Sequence, residues 1–328
     1  LRDAYEKFRE HGIELYAISY DDQRVLSEFA SKQNIPFRLL SDVDSSVIRA
    51  YGILNEQVTE EAGPIFGIPY PGVYVTDEDG VVVAKFFHDT YKKRDSPEIL
   101  IDAAMGRPVI APDAPRCEGD DENVRVSVAF HGGRSTLRQG VIRNVVVHVE
   151  LENGLHVYGE PVPQGMTPFR VDVSGPPGLV AQAASAPPSE ILYLESVGME
   201  LPVIGQSFDV IVPVYATGEL ASETRPLDQD RVEIQVRVQY QACNADVCHL
   251  PKTETFPFQI ELDVIDVPRL GMHLGHGQRA GQFDATPHML RLMWRKFRGS
   301  PLNLFRFLRM SWKLEREARR RRRAAGEP

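Results

Sequence analysis

The run Arg231-Val232-Glu233-Ile234-Gln235-Val236-Arg237-Val238-Gln239-Tyr240-Gln241-Ala242-Cys243-Asn244-Ala245-Asp246-Val247-Cys248-His249-Leu250-Pro251 holds two of the three cysteines of the chain. Its first ten residues alternate polar and apolar without a break, the pattern of a strand that buries one face and wets the other. A second alternating run, Thr255 to Val264, leaves soon after Cys248. The cysteine pair therefore sits where two strands meet. With residues 244–247 between the sulfurs, a hairpin or tight loop brings them into disulfide range, about 5 to 6 Å between Cα atoms. Two small buried hydrophobes in a strand turn is the competing reading of the same residues.

Working outward, residues 123 to about 266 carry more such runs, among them Val124–Val128, Asn144–Leu151, Leu155–Tyr158, Phe169–Val173 and Phe208–Val214. About seven short strands punctuated by Pro and Gly predict an all-β sandwich. His148 and His156 read as sandwich residues, because no companion His or Cys stands at metal-ligand spacing. A zinc site on Cys243, Cys248 and His249 lacks a fourth local ligand, so no metal and no cofactor is expected.

Residues 154–163 (Gly-Leu-His-Val-Tyr-Gly-Glu-Pro-Val-Pro), Val236 to Cys243 and Cys248-His249-Leu250-Pro251 resemble the N-terminal periplasmic domain of the DsbD-type thiol:disulfide interchange proteins. The resemblance implies an immunoglobulin-like fold whose cysteine pair relays electrons between thioredoxin-like domains. It assigns Cys243 and Cys248 as the catalytic pair, and an extracytoplasmic, periplasmic bacterial setting, where thiol-disulfide exchange operates. Exchange needs a thiolate. Asp246 opposes one and a protonated His249 assists one, so both are possible modulators. Which sulfur attacks first stays open at this level.

Residues 1–105 read differently. A first helix bears Leu1, Ala4, Tyr5 and Phe8 on one face and stops at His11-Gly12; Ile13–Ser19 forms a buried strand. A helix follows Asp21-Asp22, then a strand at Phe37–Leu40, a helix from Ser41-Asp42 to Gly52, and a hairpin of Gly72–Thr76 and Val81–Phe86 across Asp77-Glu78-Asp79-Gly80. Ser96 is the expected N-cap, and Pro97 the first residue, of a last helix. Alternating strands and helices predict an α/β layer fold.

The blocks Glu14–Asp21, Phe37–Asp42, Ala50-Tyr51-Gly52 and Gly67–Gly80 resemble, in order, the redoxin group: peroxiredoxins of the alkyl hydroperoxide reductase and thiol-specific antioxidant type, with their thioredoxin-fold relatives. The resemblance implies a cis proline before the hairpin strand, facing the reactive cysteine. Pro71 is the matching residue, with Tyr70-Pro71 the expected cis bond and both residues supporting the redoxin site. The group's reactive cysteine falls before Leu1, and residues 1–105 contain no cysteine. With Leu1 opening the chain inside a helix, the redoxin fold is expected to be truncated, any signal sequence lying upstream. Thiol peroxidase and thiol:disulfide reductase both remain open.

Residues 106–122 form a Pro-rich acidic linker, where Cys117 is expected as an exposed spare thiol. Residues 123–267 make the sandwich and 268–328 a basic, partly helical tail. From Arg269 onward 15 Arg and Lys face 4 Asp and Glu, so a chain of net charge -9 has an acidic body and a basic end. In the tail, Leu304, Phe305, Leu308 and Trp312 share a helical face while Arg306, Arg309, Lys313 and Arg316 point elsewhere. This pattern suits an anionic membrane surface or docking on the acidic body, and no specific nucleic-acid module accompanies it. His273, His276, Met272 and His288-Met289 lie in a flexible stretch with no fixed ligand geometry.

The expected protein is a two-domain oxidoreductase: a truncated thioredoxin-like α/β domain, an immunoglobulin-like sandwich and a basic helical tail. Its substrate is a peroxide or a protein disulfide. Its partners are a thioredoxin-like protein or a membrane thiol:disulfide electron donor. The alternative is a noncatalytic partner-binding sandwich whose cysteines staple a hairpin.

Overall fold

The computed structural model describes residues 1–61, 66–194, 198–222, 229–244 and 247–264, and in the tail positions 290, 293, 294, 297, 298, 301, 302, 305, 309, 312 and 316. The chain divides into two compact units. The first comprises Leu1–Arg116, Ala129–Arg134 and Val141–Val146; the second comprises Cys117–Val128, Ser135–Gly140 and Val147–Pro328.

The first unit runs α1 (Tyr5–Glu10), β1 (Tyr16–Ser19), α2 (Gln23–Gln33), β2 (Arg38–Ser41), α3 (Ser46–Ala50), β3 (Gly72–Thr76), β4 (Val82–Phe87), β5 (Arg94–Asp95) and α4 (Pro97–Met105). β1 pairs with β2 in parallel and β3 with β4 in an antiparallel hairpin, so the α/β alternation is borne out as two small sheets. Local chemistry sets the helix ends. The Asp22 carboxylate accepts the Arg24 N–H at 2.8 Å, capping α2, and Asn34 closes it in the left-handed region. Asp42 is buried and accepts the N–H groups of Val47 and Ile48, and so starts α3. Burial works to raise its pKa, but these hydrogen bonds hold it below the usual carboxylate range. Ser96 and Pro97 stand where expected, although the Ser96 side chain makes no capping bond. Phe8 of α1 packs with Leu100 and Ile101 of α4, flanked by Ile13, Leu15, Val73 and Phe86.

One expectation fails here. Among the described residues the only cis peptide bond is Glu160-Pro161, so Tyr70-Pro71 is trans. Trans is the intrinsic preference of X-Pro bonds, and this segment runs extended: Tyr70 donates its N–H to the Ile53 carbonyl at 2.7 Å, Pro69 bridges to Leu54, and β3 starts one residue after Pro71. No tight turn calls for the other isomer.

The strands that follow are β6 (Arg116–Glu118), β7 (Val124–His131), β8 (Thr136–Leu137), β9 (Val141–Leu151), β10 (His156–Tyr158), β11 (Arg170–Ser174), β12 (Leu179–Ala181), β13 (Glu190–Leu194), β14 (Met199–Gly205), β15 (Ser207–Ala216), β16 (Arg231–Tyr240), β17 (Ala242–Cys243) and β18 (Lys252–Leu262). This is richer than seven strands, because short pieces such as β8, β12 and β17 lack a long alternating run. The sheet orders are β13-β14-β10-β17, β11-β16-β18-β8 and β12-β15-β9-β7-β6, with β5 pairing the start of β9. β16 buries Val232, Ile234, Val236, Val238 and Tyr240 and exposes the residues between, and it pairs with β18 from Arg231↔Glu261 to Tyr240↔Lys252. The expected linker contains β6, whose Cys117 is half-buried with its Sγ 3.6 Å from the Pro257 carbonyl oxygen, not freely exposed. Burial, then the charge of Glu118, pushes its thiol pKa up, which makes it a sluggish nucleophile.

Candidate functional site

The long ladder of β16 and β18 ends at Tyr240. There the phenol donates to Glu254, with Asp121 also within hydrogen-bond distance at 3.0 Å, and Lys252 pairs with Asp120 and Asp121 at 2.7 and 3.3 Å. Burial, then the Glu254 hydrogen bond, drives the Tyr240 pKa far upward, so this hydroxyl stays a donor. From this fixed end the chain passes Gln241 and enters a tight hairpin. His249 N–H bonds the Ala242 carbonyl at 2.9 Å, Cys243 faces Cys248, and Asn244 N–H bonds the Val247 carbonyl at 2.9 Å. The Asn244 side chain accepts the Val247 N–H at 2.7 Å. Directly opposed positions in a narrow hairpin bring the sulfurs together, and Cys243 and Cys248 form a disulfide with Cα atoms 4.1 Å apart.

The two sulfurs have unequal surroundings. Cys243 is buried, at 1% exposure, with Leu194, Leu201, Val203 and Tyr158. Cys248 is exposed, as are Val247, His249 and Leu250 beside it. A nucleophile from solvent or from a partner thus meets Cys248 first.

The polar side chain that reaches the sulfurs is Tyr158. Its hydroxyl donates to Cys243 Sγ at 3.1 Å and lies 3.4 Å from Cys248 Sγ. Strand register explains the placement. β10 pairs with β17 so that His156 is opposite Cys243 and Val157 opposite Ala242; Tyr158, two residues on, shares the face of His156 and lies diagonal to the cysteine. Burial raises the Tyr158 pKa, so the phenol keeps its proton and remains a donor at neutral pH. The His156 ring, edge-on to Tyr158 with centroids 5.6 Å apart, is buried, and burial lowers its pKa. It is a neutral neighbour of the pair.

Of the residues singled out from sequence, the structure joins Cys243 and Cys248. His249 contributes its backbone to the hairpin, donating its N–H to the Ala242 carbonyl and accepting from the Gln241 side chain at its own carbonyl. Asp246 lies outside the described residues. Tyr70 and Pro71 belong to the first unit, which holds no cysteine. His148 bonds Asp209 at 2.7 Å and Ser207 at 3.3 Å on an exposed strand face, as a sandwich residue does. Among the described residues no group of three His, Cys, Asp or Glu is arranged to hold a metal. Sequence reasoning missed Tyr158 as a site residue. Its signal was the same-face spacing of His156 and Tyr158, which points at the sulfurs only once β10 and β17 are paired.

Residues 1–85 match the AhpC/TSA family, and residues 134–260 match the N-terminal region of thiol:disulfide interchange protein DsbD. A region similar to the AhpC/TSA family thus precedes a strand-rich region similar to the DsbD N-terminal region. Peroxiredoxin Q, chloroplastic, of Arabidopsis thaliana is 36% identical over 105 residues, which are 32% of this chain and 43% of that protein. The peroxiredoxin Q of Sedum lineare is 34% identical over 105 residues, 32% of this chain and 50% of the relative. The chain thus spans about half the length of these curated relatives or less. Among solved structures, the reduced DsbD N-terminal domain of Neisseria meningitidis aligns with 36% of this chain and 78% of its own, at 20% identity and a TM-score of 0.24. The N-terminal periplasmic domain of ScsB from Proteus mirabilis aligns with 46% of this chain and 52% of its own, at 11% identity and a TM-score of 0.29.

Proposed function

We propose that the protein is a thiol-disulfide oxidoreductase in which the Cys243/Cys248 pair relays electrons, in an extracytoplasmic compartment, to a thioredoxin-like or peroxiredoxin-like partner. The observation that carries this reading is the disulfide with one buried and one exposed sulfur, under a tyrosine hydroxyl. In the reducing half-reaction a donor thiolate attacks the exposed Cys248 Sγ. The Cys243–Cys248 bond breaks, and its electron pair leaves on Cys243 Sγ, to which the Tyr158 O–H donates. A second donor thiolate then attacks the donor sulfur of this mixed disulfide and expels the Cys248 thiolate, so the donor leaves as a disulfide and the dithiol remains.

In the forward step the Cys248 thiolate attacks a partner disulfide or sulfenic acid, releasing a thiolate or hydroxide and forming a mixed disulfide. Cys243 then attacks Cys248 Sγ, expelling the partner thiolate and restoring the internal disulfide. The partner sulfur lies outside residues 1–116, which contain no cysteine. The net reaction is reduction of a peroxide or of a protein disulfide. Pro71 and Tyr70 serve the redoxin region, and Asp246 and His249 tune the loop.

Thiol titration and a redox titration of the full chain test the relay. The pair should interconvert reversibly between two thiols and a disulfide, and Cys243→Ser should trap a mixed disulfide through Cys248 while Cys248→Ser traps far less. Two thiols that never oxidise to a disulfide, or equal trapping by both variants, would remove the proposal. A purely structural staple predicts lower stability in both variants and no trapping in either.

A further inference from the structure

The tail carries an anomaly unconnected with the cysteines. Leu290, Trp294, Leu302, Phe305 and Trp312 are helical and between 58% and 71% exposed. Large apolar side chains left in water along a segment mark a contact surface. At about 100° per residue, Leu290, Met293, Trp294 and Phe297 fall on one side of a helical turn pattern, and Leu302, Phe305 and Trp312 fall within an arc of about 80° that also holds Arg309 and Arg316, whose long stems can lie along the apolar rings while their guanidinium groups reach outward. Trp294 stacks on Phe297 with ring centroids 6.0 Å apart, and the Arg316 guanidinium sits 4.1 Å from the Trp312 ring centroid. From Leu290 to Pro328 the sequence holds 13 Lys and Arg against 3 Glu, a balance of +10 in a chain of net charge -9. No helix among the described residues is long and apolar enough to cross a membrane.

We propose that this segment binds the surface of an anionic lipid bilayer. Trp294, Phe297, Leu302, Phe305 and Trp312 enter the boundary between headgroups and acyl chains, and Arg298, Arg309 and Arg316 meet lipid phosphates. The combination of an aromatic apolar strip with dense positive charge is the one that interfacial helices use. The other occupants fit less well. Trp294, Leu302, Phe305 and Trp312 are all more than half exposed, so the acidic body does not cover them. A second copy would bring two segments of charge +10 together, which repel. A nucleic acid would engage the arginines and leave the apolar strip in water. The inference stands apart from the thiol chemistry.

The chain contains two tryptophans, Trp294 and Trp312, so its tryptophan emission reads this segment alone. Titrating the full chain with vesicles of phosphatidylcholine containing a quarter phosphatidylglycerol should shift the emission to the blue and pellet the protein with the vesicles. Pure phosphatidylcholine should do neither. Raising salt to about 0.5 M should weaken partitioning about tenfold or more, because charge attraction is screened over a few Å. The double variant Leu302→Ser/Phe305→Ser keeps both reporters and should lose about tenfold in partitioning, with the Cys243/Cys248 thiol titre unchanged. The proposal is overturned by no shift with anionic vesicles, by equal binding to pure phosphatidylcholine, or by full binding of the double variant. A shift with duplex DNA in place of vesicles overturns it, as does lipid-free self-association that the double variant abolishes.

Discussion

Tyr158 is the residue whose importance only the folded chain reveals. Its phenol is fully buried, and a buried hydroxyl needs a partner; here the partners are the two sulfurs. Replacing it with Phe removes one hydrogen bond to sulfur, worth about 1 kcal/mol, and keeps the packing. Reduction of the disulfide by dithiothreitol should slow about fivefold, with little change in melting temperature; an unchanged rate would show the hydroxyl to be idle. His156 makes a pH prediction. Its folded pKa lies below the unfolded value near 6.5, so the unfolded state binds the extra proton first as pH falls. The stability it supports is complete above pH 6.5 and drains away as pH drops toward the folded pKa. Thermal melts from pH 7.5 to 5 should show this decline, and His156→Phe should flatten it. The cysteine pair itself was legible, because alternating runs on both sides forced it into a turn. Its asymmetry was not, since burial of Cys243 depends on Leu194, Leu201 and Val203, which are far away in sequence.

Helices and strands were legible where they carry a long period or a clear stop. β16 and β18 follow directly from ten-residue alternation, and α2 and α4 from a capping Asp22 and from Ser96-Pro97. Two-residue strands such as β8 and β17 have no period to read; pairing across the sheet creates them. Gly72 shows how tightly β3 fits β4. A Cβ built there would lie 2.1 Å from the Phe87 ring, so Gly72→Ala must push an aromatic side chain out of place. We expect a loss of about 1–3 kcal/mol, measured by urea unfolding of the full chain. α4 is anchored differently. Glu98 receives Lys7 Nζ at 2.6 Å and the Gly133 N–H at 2.9 Å, and the neighbouring Asp102 bonds the buried His131 at 2.9 Å. Burial tends to raise the Glu98 pKa, but those two hydrogen bonds win and hold it at about 2. The stability it contributes is therefore full above pH 4.5 and lost as pH falls toward 2, about 2 kcal/mol allowing for screening at the exposed Lys7 end. Lys7→Ala should move acid unfolding upward by about one pH unit, followed by circular dichroism; no movement would mean the pair is inert.

At the scale of the molecule, charge and composition divide the sequence into three regions of different character, and the AhpC/TSA and DsbD-type matches lie within the first two. What composition could not foretell is the path of two strands. β7 and β9 each begin in one compact unit and end in the other, two of the five places where the backbone passes between the units. The DsbD-type match begins at residue 134, after β7 has ended. A protein cut at that point would keep β9 and lose its neighbour β7, leaving an eleven-residue strand with a row of unpaired N–H and C=O groups. Such an edge recruits other strands. Sequence similarity alone would therefore mark a cut that yields a sticky, aggregating fragment, whereas beginning at Cys117 retains β7 and keeps that edge paired.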